Sequence, residues 1–167
     1  MTRRTRAREI ALQVLYQTEQ NPGLDSTEVR RFVNRRLLDD RRLVEFAESL
    51  IAGVHLHQPK LDVLIADVAE NWRLDRMAAI DRNILRLGAY EMLHCPDVPT
   101  KVAINEALEL AKRYSTAQSS RFVNGILDRL QTAVTTPAVS PSPPIEPEPT
   151  IAPAPPIEPD PPVPEPE

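Results

Sequence analysis

One cysteine, Cys95, stands among 167 residues, so no disulfide can close within the chain, and a reducing cytoplasm is the expected setting. Glycine is almost as scarce. The four glycines, Gly23, Gly53, Gly88 and Gly125, stand singly, which excludes a glycine-rich phosphate loop. No apolar run approaches the roughly 18 residues that would span a bilayer, and no apolar signal core follows the opening arginines. An Arg-rich start can mark an organelle transit peptide, but helical periodicity begins by Ala7, too early for a removable presequence. Of the three histidines, His55 and His57 are two apart and would face different ways on a helix, while His94 is distant in sequence. They offer no metal pair. Cys95 beside His94 has no orienting carboxylate motif, and adjacent side chains on a helix diverge, so no nucleophile and base are paired there. The chain therefore reads as a binding protein, without a catalytic residue, metal or cofactor.

What is present is strongly segregated. Residues 137–167 hold 14 of the 18 prolines and six acidic residues with no basic one. Ser142-Pro-Pro-Ile-Glu-Pro-Glu-Pro149 recurs as Ala154-Pro-Pro-Ile-Glu-Pro-Asp-Pro161. Proline removes amide donors and fixes φ, so this tail is expected to be extended, polyproline II-like and disordered. The net charge of -4 is the tail's doing: residues 1–136 carry 20 basic against 18 acidic residues. Two parts are expected, a helical domain over 1–136 and a tail over 137–167.

Ala7, Ile10, Ala11, Val14 and Leu15 fall on one helical stripe that ends near Asn21-Pro22-Gly23. Extending it backward would put Arg3 and Arg4 on that stripe, so the helix is expected to start near Thr5 with a flexible arm before it. Asp25 and Glu28 signal a second helix bearing Val29, Phe32, Val33 and Leu37. A third follows Asp39-Asp40, and Pro59 suits the first turn of a fourth that Trp72 would close. A fifth, central helix is expected from Asp75 to His94, a sixth from Thr100 to Tyr114 and a seventh from Ser119 to Thr132. No stretch alternates as a strand does, so an all-α bundle of seven helices is predicted.

Two features point toward nucleic acid. Arg6 and Arg8 occupy a helix start, where the macrodipole disfavours cations, with Arg3 and Arg4 just ahead; a polyanion would compensate, and RNA or DNA phosphates are the commonest such partner. A solubilising basic terminus is the plainer alternative. On the last helix Arg121, Asn124 and Asp128 share a polar face that Phe122 flanks, so Phe122 is either a core residue or a platform for an unpaired base. The pattern alone favours core. Gly125 weakens that helix by roughly 1 kcal/mol relative to alanine, which implies close packing by another helix or by a ligand backbone.

The blocks Arg6-Ala7-Arg8-Glu9-Ile10-Ala11-Leu12-Gln13-Val14-Leu15-Tyr16, Ile84 to Met92, Asp97 to Lys112 and Arg121 to Asp128 together resemble the NusB family of transcription antitermination factors, over essentially residues 3 to 131. The resemblance implies an all-α fold of two packed helical bundles. It also implies a heterodimer with the small-subunit ribosomal protein that doubles as Nus factor E, binding of the pair to boxA RNA, and assembly with RNA polymerase, NusA and NusG on ribosomal RNA operons. It implies RNA contacts at Arg3, Arg4, Arg6 and Arg8, at Asp81, Arg82 and Arg86, and at Arg121, Phe122 and Asn124, and so turns Phe122 toward stacking.

The chain departs from the family pattern at Ser115, at Ala117-Gln118, where the family has an acidic pair, and at Ser120. Losing two carboxylates beside a phosphate-binding face should strengthen non-specific RNA affinity. The tail lies outside the family pattern. Two other readings stay open: the RNA-binding front of a ribosomal RNA cytosine methyltransferase, which would need a cofactor glycine motif absent here, and an adaptor whose tail recruits a polyproline-binding protein.

Overall fold

The Thr2 hydroxyl accepts a hydrogen bond from the Thr5 backbone N–H at 3.0 Å, satisfying one of the orphan donors of a helix start. The first helix, α1, therefore runs Arg3–Gln20. The computed structural model describes residues 2–136, so the expected polyproline tail lies outside the described residues. Arg3 and Arg4 are helical, contrary to the expected flexible arm. Each has found a local anchor: Arg3 pairs with Asp40, and the Arg4 guanidinium lies 5.1 Å over the Phe46 ring, a cation–π contact that lets an arginine occupy an apolar stripe.

Asp25 caps α2, Ser26–Arg36, by accepting from the Thr27 N–H, and Asp40 caps α3 by accepting from the Leu43 N–H. The helix α3 runs unbroken over Arg41–Val68 with Pro59 inside it, so the third and fourth helices expected from the sequence are one. The described residues thus hold six α-helices, not seven. An interior proline costs ~3 kcal/mol, yet Leu50, Ile51, Val54, Leu61 and Ile65 are buried on either side of it, each contributing roughly 1.5–3 kcal/mol. Burial wins. Pro59 and His55, whose carbonyl loses its partner, are both exposed to water.

A single 3-10 turn, Leu74–Arg76, precedes α4, Ala79–His94, where the sequence pattern suggested one helix from Asp75. Then come α5, Thr100–Tyr114, and α6, Ala117–Thr135, which Thr116 caps. The helices pack as one unit, most closely α1 on α3, α3 on α4, α4 on α5 and α5 on α6. As expected, α4 is central, touching α1, α3, α5 and α6, with Ile84, Leu85, Leu87 and Ala89 all buried. Gly53 on α3 leaves room for the Tyr90 ring of α4, because a Cβ built there would lie 2.0 Å from its Cζ.

Candidate nucleic-acid interface

The expected RNA residues divide between the two ends of the antiparallel pair α1 and α4. At the start of α1, Arg3 and Arg4 have side chains 78% and 57% exposed; Arg3 pairs with Asp40, which also caps α3, and Arg4 with exposed Asp97. Exposed pairs of this kind contribute ~0–1 kcal/mol, so a phosphate can replace the carboxylate at small cost. Arg6 is half-buried and pairs with Glu9. Arg8 departs from the expected cationic arm. It is 3% exposed, and its Nε and Nη2 are bonded to the Glu91 carboxylate at 2.7 to 3.0 Å, with Glu106 3.6 Å from Nη1. One helical turn beyond Arg4, its side chain points into the core and presents no free cation.

Glu9 completes the buried charge at this end. It accepts from the Tyr114 hydroxyl and from Arg6, and lies 3.1 Å from Nε of Arg113. Burial alone would raise its carboxyl, but those hydrogen bonds and the charges of Arg6 and Arg113 outweigh it and hold Glu9 below the usual carboxylate range.

At the other end Glu19 lies between Arg82 and Arg86. Arg86 is 5% exposed and grips Asp62 at 2.7 and 2.9 Å and Glu19 at 2.8 Å. Arg82 pairs with Glu19 and donates to the carbonyls of Leu74 and Met77 at 3.0 and 3.1 Å. These two arginines tie the end of α1 and the middle of α3 to the 3-10 turn. Asp81 is also buried, in the first turn of α4, where its charge suits the helix dipole. Its Oδ2 accepts from the Ser119 hydroxyl at 3.0 Å, joining the starts of α4 and α6, while Oδ1 has no hydrogen-bond partner.

On α6 the polar face stands as the spacing suggested. Arg121 is exposed with no partner among the described residues, and Asn124 donates to Asp128 at 3.1 Å. Phe122 is half-buried: it packs against the core and also meets the Trp72 ring edge-on, with centroids 5.0 Å apart. The core reading from the sequence is thus met in part. The expectation of helix packing on Gly125 fails, since a Cβ there would meet nothing within 4 Å. Gly125 leaves an open notch one turn from Arg121.

The two ends are not brought together. Arg3 and Glu19 lie 16 residues apart on α1, a separation on the order of 24 Å along the axis. The carboxylates Glu19, Asp62, Glu91 and Glu106, which hold the buried arginines, were not singled out from sequence, because each partner lies far along the chain. His57 and His94, distant in sequence, are brought together by the fold, with rings stacked at a centroid distance of 4.0 Å, although no group of three or more metal-ligating residues occurs among the described residues. Burial, with the charges of Glu91 and Asp97, pushes the Cys95 thiol up to about 11, leaving it protonated and unreactive at neutral pH. No helix among the described residues is long and apolar enough to cross a membrane.

Six packed helices, clamped by buried arginine–carboxylate contacts and carrying arginines at one end and an aromatic pair at the other, define an all-α domain. The NusB family model matches residues 5–132. The transcription antitermination protein NusB of Anaeromyxobacter sp. strain Fw109-5 is 50% identical over 129 residues, 77% of this chain and 89% of that protein. NusB of Myxococcus xanthus strain DK1622 is 44% identical over 82% of this chain and all of its own. Among solved structures, NusB of T. maritima matches with TM-score 0.70 and 38% identity, over 79% of this chain and 92% of that one. A chain from the complex of antitermination factors NusB and NusE with dsRNA matches with TM-score 0.71 and 26% identity, over 80% and 98%. The chain belongs to the NusB family of transcription antitermination proteins.

Proposed function

We propose that this protein binds boxA-type nascent RNA together with the small-subunit ribosomal protein that serves as Nus factor E. The complex then joins RNA polymerase, NusA and NusG in the cytoplasm and sustains transcription of ribosomal RNA operons. It turns nothing over and needs no cofactor. Family membership supports this reading, as does the likeness to a NusB solved with NusE and dsRNA. The observation that carries it is the surface of α6, where half-buried Phe122 stands beside exposed Arg121, which has no partner among the described residues, and the open notch at Gly125.

The ten residues implied by the resemblance divide by burial. Arg3, Arg4, Arg6, Arg121, Phe122 and Asn124 contact RNA. Arg8, Asp81, Arg82 and Arg86 position those contacts from within the fold. Residues 1–136 form the binding unit, and the repeated Pro-Pro-Ile-Glu-Pro of the tail favours an added role as a ligand for a polyproline-binding partner.

The test is fluorescence anisotropy of a labelled boxA RNA oligonucleotide titrated with the protein, with and without the cognate ribosomal protein. Binding that tightens when the ribosomal protein is present supports the reading. Absence of binding in both titrations refutes it.

A further inference from the structure

Trp72 is the only tryptophan in the chain and 61% of it is exposed. An indole is among the side chains with most to gain from burial, so its exposure at a fixed position needs a reason. Trp72 does not lie on a loose segment. Its backbone N–H donates to the Ala69 carbonyl at 2.6 Å, and Arg73 next to it bonds Asp75 at 3.0 and 3.2 Å. Further on, Arg82 holds the carbonyls of Leu74 and Met77. The residues following Trp72 are clamped by this network, so little conformational freedom remains to be lost on binding.

Its position is more telling than its exposure. The indole meets the Phe122 ring edge-on, at 5.0 Å and 63°. It also walls an open cleft of about 860 Å³ that Asp62, Arg73, Arg82 and Arg86 line. Trp72 thus lies against Phe122 on α6 and shares a cleft with Arg82 and Arg86 of α4. The geometry points to Trp72 as a base-stacking residue, which is braced edge-on by the Phe122 ring and holds an unpaired nucleobase of the RNA at the mouth of this cleft.

The chemistry of the cleft selects such an occupant. A nucleobase brings a flat π-face for the indole and an edge carrying both donors and acceptors, which the Glu70 carboxylate and the Asn71 amide of the cleft can meet, while Arg73, Arg82 and Arg86 are paired with Asp75, Glu19 and Asp62. An apolar anchor from a protein would find one aromatic wall and otherwise mostly polar and charged groups. This inference rests on the RNA reading above and extends it to a residue outside the family-derived set.

Because Trp72 is the sole tryptophan, the intrinsic emission of the full-length protein reports on it alone. The experiment titrates that emission with a short single-stranded boxA RNA and with the same backbone carrying abasic nucleotides. In parallel it measures RNA affinity for Trp72→Leu, Trp72→Phe and Phe122→Ala. The inference predicts quenching by the RNA but not by the abasic strand, a roughly ten-fold or greater loss of affinity in Trp72→Leu, and near-normal affinity in Trp72→Phe. The emission measurement needs no substitution, so it decides even if a variant is unstable. Unquenched emission with unchanged affinity in Trp72→Leu, while Phe122→Ala binds poorly, overturns the inference and leaves the RNA reading intact. Loss of ribosomal-protein binding in Trp72→Leu with RNA affinity unchanged assigns the indole to a protein interface and overturns it too. If RNA binds neither the parent nor any variant, the RNA reading itself fails.

Discussion

The Arg8 guanidinium makes three hydrogen bonds to the Glu91 carboxylate, at 2.7, 2.8 and 3.0 Å, between two side chains that are 3% and 2% exposed. This contact fixes the start of α1 against the end of α4. Removing one partner strands the other charge in the core, which costs ~3–5 kcal/mol. Arg8→Met and Glu91→Leu should each lower the urea midpoint sharply. The double replacement should recover much of the loss, as a pair of apolar side chains needs no counter-charge.

Glu9 and Glu19 make the fold sensitive to acid. For Glu9 burial pushes the carboxyl up, but the Tyr114 and Arg6 hydrogen bonds and the charges of Arg6 and Arg113 bring it down. For Glu19 burial is likewise outweighed by hydrogen bonds from Arg82 and Asn83 and by the charges of Arg82 and Arg86. Both carboxyls lie lower in the folded state than in the unfolded chain. Their stabilisation is complete above the ordinary carboxylate range and is lost as pH falls through the folded values. Melting temperature should therefore drop on acidification through that range, and Glu9→Gln should lower it at neutral pH and flatten the drop.

The opening arginines should separate into two kinds. Replacing Arg3, Arg4 and Arg6 by alanine should flatten the slope of log affinity against log salt by about 2, at ~0.7 per phosphate on a single strand. Folding should be little affected by the changes at Arg3 and Arg4, whereas the change at Arg6 also removes one partner of buried Glu9 and should lower the urea midpoint modestly. Arg8→Ala should instead unfold the protein at lower urea, so its loss of RNA binding would follow stability and not charge alone.

Gly125→Ala should move stability and affinity in opposite directions. Nothing stands within 4 Å of the added methyl and no glycine has positive φ, so the helix should gain ~0.4–1 kcal/mol. If an RNA backbone approaches the notch, affinity falls while the urea midpoint rises. Unchanged affinity would clear Gly125 from the interface.

Much of the helical fold is legible in apolar spacing, because burial of one stripe dominates the energetics of each helix. The stripe through Leu50, Ile51 and Val54 and the stripe through Leu61 and Ile65 were both readable, but their fusion across Pro59 was not. It depends on how much tertiary burial α3 gains on both sides of the proline, and local sequence carries no measure of that. The site was legible as a set of residue types and not as an arrangement. The spacing exposes four arginines at the start, yet whether a given one faces solvent or core turns on Glu91, 83 positions away from Arg8. Trp72 looked like a helix end because its partner Phe122 is also remote in the chain.

The most direct test of the RNA-binding account compares boxA RNA with a scrambled RNA of equal length and composition. Each is titrated by anisotropy with the full-length protein bound to the ribosomal protein, using the parent chain and Phe122→Ala. The account predicts tighter binding of boxA by the parent, and in Phe122→Ala a loss of roughly 1–3 kcal/mol on boxA with the urea midpoint nearly kept. Equal affinity of the parent for both RNAs, together with unchanged boxA affinity in Phe122→Ala, would contradict it.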